Sequence, residues 1–122
     1  MKKILIIEDN SSYRKMLVSI LKKEGYEVDE ASDGRMGCDM CLEKSYDLVI
    51  TDLFLPEQDG VQTTHILKKE FSSEIKIIAI SGGCSEGRLK HVLNLSKDHG
   101  ADMTFQKPFN LDDLVKSVND LI

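Results

Sequence analysis

Apolar positions along this chain follow two alternating rhythms. Lys3 to Ile7, Asp47 to Thr51 and Lys76 to Ile80 are short, nearly continuous apolar runs, the pattern of strands buried on both faces. Between them the period lengthens. Tyr13, Met16, Leu17, Ile20 and Leu21 fall at i, i+3, i+4, i+7 and i+8, which predicts a helix over 10–24 burying that stripe. Gly25 suits the residue just past its end. Tyr26 to Ala31 is a more polar run and reads as an edge strand. Asp33-Gly34 opens a second helix to about Lys44, and Asp59, as N-cap, a third to about Phe71. A fourth helix is expected from Glu86 to about His99, a last strand over Met103 to Gln106, and a fifth helix capped by Asn110. That helix carries Leu111, Leu114, Val115 and Val118, with Asp112 and Asp113 in the first turn, where the helix dipole favours them.

Five strand–helix units with short connections predict a parallel sheet covered by helices on both faces, its three most apolar strands (first, third, fourth) central. A chain of 122 residues makes one domain, spanning 1–122, large enough to need no disulfide or metal staple. The 41% hydrophobic and 30% charged fractions exclude a disordered chain. A net charge of −5 argues against direct nucleic-acid binding. No apolar run approaches the roughly 20 residues of a membrane span, and the apolar stretch before Glu8 is too short for a signal peptide. A cytoplasmic location is the expectation, which three cysteines, an odd number, fit as reduced thiols.

Sheets of this kind bind ligand outside the carboxyl ends of their strands. Those ends carry Glu8-Asp9, Asp52, Ser81 and Lys107-Pro108. Carboxylates gathered so closely repel unless a cation intervenes, and an all-oxygen set suits Mg²⁺. The ensemble suits phosphoryl transfer to a carboxylate. Asp52 would attack phosphorus in line, the metal would neutralise charge, and Lys107 and Ser81 would each hold an oxygen.

In order and spacing, Ile7-Glu8-Asp9, Asp52-Leu53-Phe54-Leu55-Pro56 with Asp59-Gly60, Ala79-Ile80-Ser81-Gly82, and Gly100-Ala101-Asp102 through Lys107-Pro108-Phe109 resemble the receiver domain of bacterial two-component response regulators. The resemblance covers essentially the whole chain. It implies a flavodoxin-like, doubly wound (βα)5 α/β fold with strand order 2-1-3-4-5. It implies that Asp52 is the phosphoacceptor, that Glu8, Asp9, Asp52 and the backbone carbonyl of Phe54 hold Mg²⁺, and that Ser81 and Lys107 sense the phosphoryl group. Phe105 matches the aromatic switch position, and the Lys107–Pro108 bond is expected to be cis. The implied function is a phosphorylation-controlled switch rather than a conventional enzyme, catalysing only its own phosphorylation and dephosphorylation. A sensor histidine kinase or phosphotransfer protein is the implied donor. The implied output surface is the fourth helix, fifth strand and fifth helix, facing a downstream protein or a missing output domain, and able to pair with a second copy after phosphorylation. Three departures stand out: Glu8 where Asp is commoner, Leu55 where Met is frequent, and Gly82-Gly83 where a small residue such as Ala is usual at the first position. The paired glycines predict a loose fourth loop.

Cys38-x-x-Cys41 suggests a redox pair or half a zinc site, but no second pair has ligand spacing, and Cys38, Cys41 and Leu42 form an i, i+3, i+4 stripe expected in the core. Cys84 is expected to be exposed, and His65, His91 and His99 to be ordinary helix histidines. Met36 and Met40 sit at i, i+4, where a contact surface or simple exposure are the readings. An aspartyl phosphohydrolase is disfavoured, since Phe54 stands where a second acid belongs. A degenerate adaptor is disfavoured by the full set Glu8, Asp9, Asp52, Ser81 and Lys107. The stop at Ile122 suits a stand-alone regulator or an excised receiver equally.

Overall fold

A computed structural model describes residues 1–53, 60–71, 75–82 and 100–122. The elements are β1 (Lys3–Ile7), α1 (Ser11–Lys23), β2 (Glu27–Ala31), α2 (Gly34–Glu43), β3 (Leu48–Asp52), α3 (Gly60–Ile66), β4 (Lys76–Ser81), β5 (Met103–Gln106) and α4 (Leu111–Leu121). All strands are parallel, in the order β2-β1-β3-β4-β5. The apolar strands β1, β3 and β4 are central, and polar β2 lies at an edge, as their patterns predict.

Strand parity builds two cores. Ile4, Ile6, Leu48, Ile50, Ile78 and Ile80 face one side and pack with Leu17 and Leu21 of α1 and Leu114 and Val118 of α4. Leu5, Ile7, Val49 and Ile77 face the other, with Ala31, Tyr46, Leu67 and the α2 residues Cys38, Met40 and Cys41. Each fully buried aliphatic side chain contributes about 1.5–3 kcal/mol through removal from water. The doubly wound arrangement therefore follows from strands that are apolar on both faces.

The helix boundaries follow local chemistry. Asn10, Asp33 and Asn110 accept backbone N–H bonds from Tyr13, Met36 and Asp112. Gly25 has φ +96, the left-handed conformation that ends α1. Some details differ from the sequence pattern. Leu42 is not in the core but 74% exposed: Gly34, Gly37, Cys38 and Cys41 centre the inward face of α2, and Leu42 falls about 80–100° round the helix from that centre. Met16 is exposed and Val18 buried, so the inward face of α1 is rotated from the predicted stripe. The third helix changes to a π-helical turn over Leu67–Phe71, which the hydrophobic period does not register. Strands β3 and β4 each run one residue further than expected, to Asp52 and Ser81. Cys38 and Cys41 are half-buried thiols, not joined in a disulfide. Met40 packs against the core, whereas Met36 and His65 are exposed. The predicted fourth helix, the Asp59 cap, the Phe54 carbonyl, Cys84, His91, His99 and most of the glycine loop lie outside the described residues.

Candidate functional site

The ladder hydrogen bonds carry the site residues to one edge. Beyond β1, the N–H of Glu8 donates to the Ala31 carbonyl at 3.0 Å. Beyond β3, the N–H of Leu53 donates to the Ile80 carbonyl at 2.9 Å, and beyond β5 that of Lys107 donates to the Ser81 carbonyl at 2.6 Å. The Lys107–Pro108 peptide is cis. Glu8, Asp9, Asp52, Ser81 and Lys107, far apart in sequence, thus share the carboxyl edge of the sheet.

Their side chains converge. Ligand oxygens of Glu8, Asp9 and Asp52 all lie within 4.8 Å of one another. Lys107 Nζ donates to Glu8 Oε1 at 2.5 Å and to Asp52 Oδ2 at 2.9 Å. Glu8 and Ser81 are fully buried, Asp52 nearly so, and Asp9 is exposed. Glu8 Oε2 and Ser81 Oγ are buried without a hydrogen-bond partner. Such atoms are rare in folded proteins, where nearly every buried polar group is bonded.

The electrostatics of the cluster favour a cation. Burial, followed by the nearby Asp52 carboxylate, pushes the Glu8 carboxyl up to about 7, although Lys107 opposes the rise. Burial alone would lower the Lys107 ammonium, but its bonds to Glu8 and Asp52 lift it above its ordinary value. Among the described residues, the carboxyl groups of Glu8, Asp9 and Asp52 face the single ammonium of Lys107, an excess of acidic groups that a divalent cation would balance. The donors are all hard oxygens, one of them the unpartnered Glu8 Oε2, and these suit Mg²⁺.

Several flanking residues were invisible to pattern reasoning. The Tyr13 ring covers Lys107, with Nζ 4.3 Å from its centroid, and meets Phe109 edge-on at 6.3 Å. Phe109 in turn lies 5.1 Å from Phe105, which is half-buried against the α1–α4 core. Tyr13 could have been read only as the first position of the α1 stripe. Arg14 Nη1 donates to the Glu8 carbonyl and its Nε to Glu30. At the opposite edge, a cavity of about 540 Å³ opens between Lys2, Tyr46, Asp47 and Ile75. It contains none of the clustered residues, so the chemistry points to the carboxyl edge and not to this cavity.

The response regulator receiver domain family matches residues 4–119. The response regulator receiver protein CpdR of Brucella abortus is 32% identical over the whole chain and 98% of its own length. The response regulator ArlR of Staphylococcus aureus is 33% identical over the whole chain but only 53% of its own length, so the chain spans about half of that relative. The structure of response regulator TrrA from Thermotoga maritima, a complex with Mg²⁺ and BeF, covers both chains completely with a TM-score of 0.84 and 34% identity. With this sheet order, this acidic edge and a match over nearly its full length, the chain belongs to the response regulator receiver domain family.

Proposed function

We propose that this chain, as one domain over 1–122, is a phosphorylation-controlled switch that accepts a phosphoryl group on Asp52. The observation that carries the reading is the convergence of Glu8, Asp9 and Asp52 around Lys107, beside the unpartnered Ser81 hydroxyl. Glu8, Asp9, Asp52 and the Phe54 carbonyl would hold Mg²⁺. When bound, the ion supplies charge neutralisation at the oxygens of the transferring group. The TrrA structure in complex with Mg²⁺ and BeF supports this reading.

The remaining work falls to the chain itself. An Asp52 carboxylate oxygen attacks phosphorus in line as the bond to the donor breaks, leaving an acyl phosphate. Lys107, already within hydrogen-bond distance of Asp52, follows the new charge by donating to a phosphoryl oxygen. Ser81 Oγ, now without an acceptor, turns its O–H toward another. Ser81 ends β4 and pairs with Gln106 next to Lys107, so its movement is felt along β5 at Phe105, the proposed aromatic switch. The proposed output surface comprises the segment 86–99, where the sequence predicts a helix, together with β5 and α4, and would meet a downstream protein, an output domain or a second copy. The donor is a histidine kinase or phosphotransfer protein, and the setting is the cytoplasm.

The test is intact mass after incubation with Mg²⁺ and acetyl phosphate. A gain of one phosphoryl group, about 80 Da, in the wild type and not in Asp52→Asn is the expected result. No gain in a folded, Mg²⁺-supplied wild type would overturn transfer from a small donor. A histidine-phosphorylated phosphotransfer protein as donor would then decide whether Asp52 accepts at all.

A further inference from the structure

Arg14 lies in the first turns of α1, with its side chain only 15% exposed. Its guanidinium makes two divergent bonds, Nη1 to the Glu8 carbonyl at 2.7 Å and Nε to Glu30 Oε1 at 2.9 Å. Glu30 belongs to β2 and Glu8 follows β1, so one side chain ties together three elements. Glu8 is consequently held at three points: its N–H by Ala31, its carbonyl by Arg14 and its Oε1 by Lys107. The Glu8 carbonyl is part of the peptide that joins Glu8 to Asp9. A bond to that carbonyl restricts ψ of Glu8 and φ of Asp9, and so fixes the path on which the chain leaves β1 and the place of Asp9 relative to Glu8.

We propose that Arg14 is a positioning residue, fixing the Glu8–Asp9 peptide so that both carboxylates reach one divalent cation. This rests on the Mg²⁺ reading above. Lysine cannot substitute fully, because a single ammonium has no rigid fork with which to bond carbonyl and carboxylate in two directions. Glu30 holds the guanidinium in turn, and this outer partner sets the aim of the inner one.

The sign of the effect separates positioning from simple charge. Arg14 is a cation beside a cation site. As a mere charge it repels Mg²⁺, and its removal would tighten binding. As a positioning group, its removal weakens binding. Thermal unfolding followed by circular dichroism across a MgCl₂ titration reads this directly, because a cation bound only to the folded state raises Tm as its concentration passes Kd. In Arg14→Met the Mg²⁺ concentration that gives a fixed small rise in Tm over the metal-free value is expected to increase roughly tenfold, with Arg14→Lys between the two. Glu30→Gln, which frees the guanidinium but keeps it, shifts that concentration the same way by a smaller factor. An unchanged or lower concentration in any folded Arg14 variant overturns the role. If neither Arg14 variant folds, an unchanged concentration in Glu30→Gln does so. A wild type whose Tm ignores Mg²⁺ overturns the metal reading and this one with it. A responding wild type beside identically responding variants overturns this one alone.

Discussion

Helix α2 touches β1 at a point where there is no room for a methyl group. A Cβ built on Gly37 would lie 2.3 Å from Ile7 Cδ1 and 2.8 Å from Ile7 Cγ1, more than 1 Å inside the ordinary carbon–carbon contact of about 3.5–4.0 Å in the nearer case. Ile7 is fully buried and directly precedes Glu8, so it cannot retreat without disturbing the end of β1. Gly37→Ala therefore has two opposed effects. Helix propensity favours Ala by about 1 kcal/mol, and overpacking costs about 1–3 kcal/mol. The expected net loss is about 1 kcal/mol. Ile7→Val alone removes the offending methyl and leaves a small void, at about 0.5–1.5 kcal/mol. Together the two substitutions exchange one methyl for another across the same contact, and only the 2.8 Å approach to Cγ1 is left to relax, so the double variant should be no less stable than either single variant. The coupling is then about 1 kcal/mol or more, where independent sites would add to within about 0.5. The chain has no tryptophan, so urea unfolding followed by far-ultraviolet circular dichroism is the assay. Additive losses, with the double variant the least stable of the four, would refute the claim that Gly37 is there to admit Ile7.

Three further outcomes follow from the same geometry. Lys107→Met leaves buried Glu8 and Asp52 without their ammonium, so without Mg²⁺ it should lose about 3 kcal/mol in urea unfolding, and Mg²⁺ should restore more stability to it than to the wild type. Ser81→Ala removes a hydroxyl with no partner; it should be close to neutral in stability yet slow Asp52 labelling by acetyl phosphate, whereas a loss of more than about 1 kcal/mol would mean the hydroxyl is already bonded. Tyr46 donates to Asp29 at 2.6 Å and, with Lys44, holds that carboxyl below its ordinary range; a depressed folded pKa stabilises above the unfolded value of about 3.9 and loses that contribution as pH falls through the folded one. Tyr46→Phe should therefore cost about 1.5 kcal/mol at neutral pH and converge with the wild type in acid, read by urea unfolding at a series of pH values.

The strands were legible because β1, β3 and β4 are buried on both faces, and a short continuous run of Ile, Leu and Val between polar turns suits little besides such a strand. Their central position needed only their apolar character and the polarity of β2, whereas the full order 2-1-3-4-5 rested on the resemblance to the receiver family. Helix faces were less legible. Leu42 is as apolar as Leu17, and only the rotation of α2, set by the close seat of Gly37 on Ile7, decides that it points to solvent. The site was legible as a set of strand ends but not as a set of contacts. Lys107 meets Glu8 across 99 residues, a separation at which no local period applies. Lys68 reaches both the Ile75 carbonyl and Asp102, and Asp102 accepts the N–H of Ile77. That latch gives Asp102 a structural reason within its Gly-Ala-Asp run that no spacing argument provides. Arg14 carried no signal at all, since its two partners lie on other elements.

The carboxyl edge also departs from the rules that govern the rest of the fold. Elsewhere among the described residues caps are filled, buried apolar residues pack in two parity-sorted cores, and buried polar side chains find partners. Here a glutamate is wholly buried, one of its oxygens is unpartnered, a buried serine hydroxyl is unpartnered, and one lysine is shared between two acids. Apolar residues of similar volume at these positions would cost less than a partly satisfied polar cluster. A chain shaped for stability alone has no use for such an arrangement. On the proposed reading it becomes favourable, because a divalent cation and an incoming anion would give each unpartnered atom an acceptor or a charge to meet. Violations confined to one edge of an otherwise consistent fold mark a functional site. They also identify which atoms would change partners on phosphorylation: the Lys107 ammonium and the Ser81 hydroxyl, both joined to β5 through the bond between the Lys107 N–H and the Ser81 carbonyl.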